Sequence, residues 1–235
     1  MKVYVINVPS NTERLEGFRS EYPSGLPEPV VYPAKTGNEV EVPNWWKGNA
    51  NSWALVQNAK AILEQEHSEP FMICEDDCAF SHDFVDVMQT AIANIPNDWD
   101  LLYLGGRHED SLHAYPVKVN DYVLKCRYTP GAFCFVVNPN AIQKILQLLN
   151  TENWPCHHCY DDLLALGQWS GIIKAYAPLR FVGGQRGGLP STLSKWVFKQ
   201  TTFFNDFKYF DPENSVFLPP GVLYDAEAET EEEEE

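Results

Sequence analysis

Residues 71–80 read FMICEDDCAF. An apolar run of strand length meets three consecutive acids, Glu75, Asp76 and Asp77, and the chain then turns apolar again. A short apolar run bounded this way reads as a buried strand. Three adjacent carboxylates repel one another, and the arrangement is costly unless a cation or hydrogen-bond donors compensate. Hard divalent ions suit such a turn: Mg2+ or Mn2+ commonly takes one or two carboxylates together with substrate phosphates. The competing expectation is a solvated turn, with Ser81 or Asp83 starting the next helix.

Outward from this stretch, strands and helices alternate. KVYVINV (2–8) and PVVYPA (29–34) read as strands around a short helix in NTERLEGFRSEY (11–22). Leu15 and Phe18 share a face of that helix, and Asn11 or Thr12 can cap it. NSWALVQNAKAILEQEH (51–67) places Trp53, Val56, Ala59, Ile62 and Leu63 on one helical face, with Asn51 or Ser52 as the cap. HDFVDVMQTAIANI predicts another helix, WDLLYLG a strand closed by Gly105-Gly106, and YVLKC and GAFCFVV two more strands. NPNAIQKILQLLN and YDDLLALGQW read as helices, and IIKAYAP as a late strand. Beyond Gly183 no clear period remains.

This alternation predicts an α/β sandwich on a mainly parallel, mixed sheet. Ligands of such sheets bind beyond the carboxyl ends of the strands. Both Glu75–Asp77 and the loop after Asn7 fall at such ends. The expected organisation is one domain over 1–224 and an acidic tail over 225–235. That tail, DAEAETEEEEE, carries eight of the acids behind a net charge of −16. It lacks apolar period and repels itself, so disorder is expected there.

Composition excludes some functions. Direct nucleic-acid binding needs a basic stripe, and none is present. No segment approaches the ~20 apolar residues of a membrane helix. MKVYVINV reads as a strand rather than a leader. Six cysteines are too few and scattered for a disulfide framework. Cys74, Cys78, Cys126 and Cys134 sit in or beside apolar runs as small hydrophobes, which points to a reducing, cytoplasmic setting.

Other motifs are weaker. Asp161-Asp162 opens a helix, where acids favour the helix dipole and where a general base would also stand. Cys156 and Cys159 have zinc-ligand spacing around His157 and His158, but no second paired cluster completes a structural site. GGRHED lacks the Gly-Lys-Ser/Thr ending of a phosphate-cradling loop. VGGQRGGLP (182–190) reads as a surface loop or as one that closes over a substrate. Trp45, Trp46, Trp154, Trp169 and Trp196 are either core or stacking platforms for a sugar.

Several stretches then coincide in order. YVINVPSNTERLEGF, GNANSWALVQNAKAILEQEHSEPFMICEDDCAF, DWDLLYLGG, TPGAFCFVVNPNAIQKIL and YDDLL together resemble glycosyltransferase family 25, over roughly residues 2–190. The resemblance implies a GT-A nucleotide-binding sandwich. It implies an inverting, metal-dependent transfer of a hexose from a nucleotide-diphosphate sugar, a UDP-sugar first, to a glycan or glycoprotein hydroxyl.

Carried over residue by residue, Asp77 binds Mn2+ or Mg2+, and Glu75 and Asp76 contact metal, ribose or donor sugar. Asn7, Val8 and Arg14 lie along the nucleotide, and Asn51 and Ser52 face the donor. Gly131 and Ala132 form a floor for the sugar, and Asp161 or Asp162 is the general base. Two departures stand out. Trp53 replaces the histidine usual after Ser52. No histidine follows His158, which leaves Gln185 or water as the third metal ligand. Two rival readings are a catalytically silent sugar-binding relative and a metal-dependent phosphohydrolase or nucleotidyltransferase.

Overall fold

The computed structural model describes residues 1–109, 115–152, 159–188, 200–204, 210–211 and 216–217. The chain divides into a unit over Met1–Asn205 and a second over Asp206–Glu235. In the second unit, Phe210–Asp211 pairs antiparallel with Val216–Phe217. The acidic tail at 225–235 lies outside the described residues, as do Cys156, His157, His158, Trp154 and Trp196.

The first unit is the expected α/β sandwich. Its strands are β1 (Val3–Asn7), β2 (Val30–Pro33), β3 (Phe71–Glu75), β4 (Cys78–Phe80), β5 (Leu101–Gly105), β6 (Val117–Lys118), β7 (Val123–Lys125), β8 (Cys134–Val137), β9 (Ala175–Pro178) and β10 (Gly183–Gln185). Eight of them form one mixed sheet in the order β2-β1-β3-β8-β5-β9-β7-β6. β1 pairs parallel with both β2 and β3, and β5 parallel with β9. β8 runs antiparallel between β3 and β5.

The helices are α1 (Thr12–Glu21), α2 (Ala50–Leu63), α3 (Phe84–Asn94), α4 (Ile142–Leu149) and α5 (Tyr160–Trp169). α2, α4 and α5 pack together. α5 reaches the sheet through Tyr160, whose ring meets Phe135, itself stacked on Tyr103. The other face buries Val3, Val5, Met72, Cys74, Leu102 and Val136 against Phe18 of α1 and Phe84, Met88 and Ala91 of α3. Successive strand residues point to opposite faces, so a run such as VYVIN is apolar throughout because both faces are covered. No helix among the described residues is long and apolar enough to cross a membrane.

Two local expectations need correction, and one further strand appears. The cap of α2 is Asn49, whose side chain accepts from the Ser52 backbone N–H at 2.8 Å, rather than Asn51 or Ser52. The residues after the acids form strand β4. The first part of VGGQRGGLP is no loop: Gly183–Gln185 pairs antiparallel with β4, and Gln185 exchanges backbone bonds of 2.8 and 2.9 Å with Thr202. Three-residue strands carry no readable alternation, which hid both, and β10 has two glycines besides.

Candidate functional site

The sheet order sets the place of the site. From β1 the chain goes to β2 on one side and later returns to β3 on the other. The strand order therefore reverses at β1, and the crevice beyond the carboxyl ends of β1 and β3 is the expected ligand position. A cleft of about 280 Å³ opens there. Val8, Arg14, Lys35, Asn51, Glu75 and Asp76 are among its lining residues.

The turn after β3 holds Asp76 and Asp77 almost fully buried, at 6% and 4% exposure. Much of the charge compensation comes from within the chain. Arg14 lies on the buried face of α1, one turn before Phe18. Its Nε and NH2 both reach Asp76 Oδ1 at 2.6 Å, and NH2 also reaches Asp77 Oδ2 at 2.8 Å. Asn7, the last residue of β1, donates from Nδ2 to Asp76 Oδ2 at 2.7 Å. Burial pushes the Asp76 carboxyl up, against the pull of Arg14 and Asn7. Burial alone would lower the Arg14 guanidinium, yet Asp77 and Asp76 hold it above its ordinary value.

Asp77 is met from the other side by β10. The Arg186 backbone N–H donates to the Asp77 carbonyl at 2.7 Å, and Gln185 Nε2 lies 3.4 Å from Asp77 Oδ2. This contact depends on two glycines. A Cβ on Gly105 would come within 2.8 Å of the Gly183 backbone, so only a glycine lets β10 cross the end of β5 so closely. Asp77 Oδ1 is buried and accepts no hydrogen bond.

Glu75 points a different way. Its backbone N–H donates to the Phe133 carbonyl at 3.0 Å, and its side chain lines the cleft. Burial, with the charges of Asp77 and Asp161, raises its pKa well above the usual carboxylate range. The two acidic clusters of the sequence thus feel one another's charge. Asp161, in the first turn of α5, accepts from the Gly131 backbone N–H at 2.8 Å. Gly131 has φ +76°, and a Cβ there would come within 2.9 Å of the Phe133 ring. Burial, then the neighbouring Asp162, raises the Asp161 pKa.

The sequence-predicted residues therefore fall into groups. Val8, Arg14, Asn51, Glu75 and Asp76 line the cleft. Asn7 is 3% exposed and ties the acid turn to β1. Gly131 and the buried Ala132 stand beside Glu75 through Phe133, with Asp161 behind them. Ser52 does not face the cleft: it is 2% exposed, and its hydroxyl donates to the Asn49 carbonyl at 2.7 Å and accepts from Trp46. Trp53, in the place of a polar contact, donates to the Glu41 carbonyl at 2.9 Å and packs with Trp45 and Trp46. Trp169 is 54% exposed. Sequence reasoning missed Lys35 and Thr36 at the cleft and the structural use of Arg14. A basic residue in the first turn of the helix that follows β1, on the same face as the apolar Phe18, was the available signal for the latter.

A divalent ion fits here only in part. The three turn acids do not converge as a three-ligand group. Among the described residues such a group forms at Cys159, Asp161 and Asp162 instead, within 4.8 Å of one another. What the turn offers is the unbonded Asp77 Oδ1 with the Gln185 side-chain amide beside the same carboxylate. Gln185 turns its Nε2, a donor, toward that carboxylate, so the turn as it stands supplies one free carboxylate oxygen to an ion that takes its other ligands from phosphates and water.

No family model matches the chain, and no curated protein matches it. Solved structures do resemble it. A glycosyltransferase involved in the glycosylation of the major capsid of PBCV-1 is 13% identical over 75% of this chain and 79% of its own, with a TM-score of 0.42. The inositol-1-phosphate CTP transferase from T. maritima is 17% identical over 75% and 65%, with a TM-score of 0.34. A Drosophila galactosyltransferase mutant in complex with manganese, UDP-Gal and xylobiose is 6% identical over 97% and 78%, with a TM-score of 0.42.

Proposed function

We propose that this chain is an inverting glycosyltransferase that moves a hexose from a nucleotide-diphosphate sugar, a UDP-sugar first, to a hydroxyl of a glycan or glycoprotein. The observation that carries the reading is the cleft at the strand-order reversal between β1 and β3, lined by Arg14, Lys35 and Asn51 together with Glu75 and Asp76. Cations and amides beside carboxylates suit a ligand with phosphates at one end and hydroxyls at the other. The sequence resemblance supports the same reading.

In this mechanism Val8 and Asn51 flank the nucleoside, and Lys35 faces the diphosphate. Glu75 and the Gly131–Ala132 floor border the donor sugar. A divalent ion held by Asp77 and Gln185 would offset the charge that builds on the departing diphosphate. The acceptor hydroxyl attacks the anomeric carbon from the face opposite the leaving group, and a carboxylate takes its proton. Asp162 is assigned that role, because Asp161 spends an oxygen on Gly131.

The test is calorimetric titration of UDP, GDP and TDP into the full chain with and without Mn2+, followed by transfer assays with the matching sugar nucleotides and glycan acceptors. One nucleotide should bind, and Asp162→Asn should keep that binding and lose transfer. Binding of none of the three would sink the reading. Rapid donor hydrolysis with no effect of acceptor would favour the phosphohydrolase.

A further inference from the structure

Of the four carboxylate oxygens of Asp76 and Asp77, three already receive donors from the chain. Asp76 Oδ1 takes two from Arg14, Asp76 Oδ2 takes one from Asn7, and Asp77 Oδ2 takes Arg14 with Gln185 at longer range. Only Asp77 Oδ1 accepts no hydrogen bond. Arg14 is itself 8% exposed, so the pair is not an exposed contact that water and salt exchange freely. Its backbone carbonyl is approached by Arg186 NH1 at 3.4 Å, which fixes the helix end that carries it.

We infer that Arg14 withholds the acid turn from free divalent cations, so that a metal ion and the nucleotide bind as one unit. The inference rests on the nucleotide reading above and adds its order and coupling. Mg2+ and Mn2+ ions in water are held by a full shell of oxygens and give it up reluctantly. One buried carboxylate oxygen is too few to strip that shell. A cation already sits against both aspartates, and it repels a second one. A nucleoside diphosphate changes both terms. Its phosphates bring oxygen ligands and negative charge to a cleft that Arg14 also lines. The two ligands then raise one another's affinity by the same factor. Removing the guanidinium releases Asp76 Oδ1 and Asp77 Oδ2, which join the unbonded Asp77 Oδ1, and should create a site that holds the ion without nucleotide.

The experiment follows the loss of the free Mn2+ electron paramagnetic resonance signal on the full chain, with and without UDP, GDP or TDP. For the wild type, Mn2+ affinity should rise at least tenfold when the binding nucleotide is present. Asp77→Asn should abolish that rise. Arg14→Met should take up Mn2+ without nucleotide at least tenfold more tightly than the wild type. Should Arg14→Met fail to fold, Arg14→Lys serves: its single ammonium cannot span both aspartates, and an intermediate gain is expected.

Equal Mn2+ affinity of the wild type with and without nucleotide would overturn the inference. So would uptake that survives Asp77→Asn and vanishes in Asp161→Asn, which would put the ion on the Cys159 group. If no nucleotide binds under any condition, the proposed function fails. The comparison of wild type with Arg14→Met in Mn2+ alone still decides whether Arg14 withholds the acids.

Discussion

Arg14 NH2 stands 2.8 Å from Asp77 Oδ2 and 2.6 Å from Asp76 Oδ1, and all three residues are more than nine-tenths buried. One guanidinium therefore joins the first helix to the turn after β3. A buried ion pair adds little net stability when complete, but removing one partner leaves charge stranded in low dielectric. Here two carboxylates would be stranded.

Arg14→Met should accordingly cost about 3–5 kcal/mol. In a chain of this size that corresponds to a thermal midpoint lower by roughly 6–20 °C. Arg14→Lys should lose less, because the charge remains while the two-pronged geometry does not. Differential scanning calorimetry of the three proteins checks both statements. A midpoint for Arg14→Met within a degree or two of the wild type would show that water, not Arg14, solvates the aspartates.

The crossing of β5 by β10 gives a second prediction. Gly105→Ala places a methyl 2.8 Å from the Gly183 carbonyl carbon and oxygen, which are backbone atoms and cannot rotate away. The two strands must part, at a cost of about 1–3 kcal/mol. Gln185 would shift with β10, since Gly183–Gln185 moves as one strand against β4. Denaturant unfolding should show a lower midpoint with an unchanged slope, and nucleotide-linked Mn2+ uptake should weaken in the same variant. Gly188→Ala is the control for open space, though its φ of +80° adds a smaller backbone penalty.

His108 supplies a pH dependence. Its Nδ1 pairs with Thr129 Oγ1 at 2.8 Å, its ring lies 4.7 Å from that of Phe181, and burial lowers its pKa to about 3. The unfolded chain binds this proton near pH 6.5 and the folded chain does not. The contribution is therefore fully present above pH 6.5 and is lost as the pH falls from there towards 3. The slope is at most ~1.4 kcal/mol per pH unit, less for a ring that is only partly enclosed. Glu75 and Asp161, with raised values, act in the opposite sense, so the variant comparison isolates the histidine. Between pH 7 and pH 5 the urea midpoint of the wild type should fall further than that of His108→Asn. Parallel profiles would mean that the ring is solvated when protonated.

Much of this was legible in the sequence because both faces of the sheet are covered. Uninterrupted runs such as VYVIN and LLYLG mark buried strands without any alternation to misread. Helix α2 was visible from the period of Val56, Ala59, Ile62 and Leu63, and its end was misjudged by a few residues because EQEH continues the polar pattern. The acid turn was visible as a conflict between burial and charge. Its resolution was not, because the compensating charge sits on another element and the pairing is tertiary. β10 was illegible for a related reason: two glycines erase side-chain pattern, Gly183 lying against the backbone of Gly105 and Gly184 against that of Thr202 and Phe203. Ser52 was misplaced because a serine at the start of a helix looks alike whether it meets a ligand or its own Asn49 carbonyl.

The two acids of α5 should separate in their effects. Asp161 accepts from the backbone of Gly131, a residue at φ +76° whose loop borders Glu75. Asp161→Asn exchanges a charged acceptor for a neutral one, and should cost about 1–2 kcal/mol of stability. Because burial raises the Asp161 pKa, the loss should be smaller at low pH, where the wild-type carboxyl is itself neutral. Asp162→Asn should leave the thermal midpoint unchanged, leave nucleotide binding unchanged and lower kcat by roughly 10²–10⁴-fold, the range of general-base removal. Calorimetry and single-turnover transfer on the two variants decide the assignment. If Asp161→Asn keeps the wild-type midpoint and loses all transfer, while Asp162→Asn stays active, the base is Asp161 and its bond to Gly131 serves to orient it.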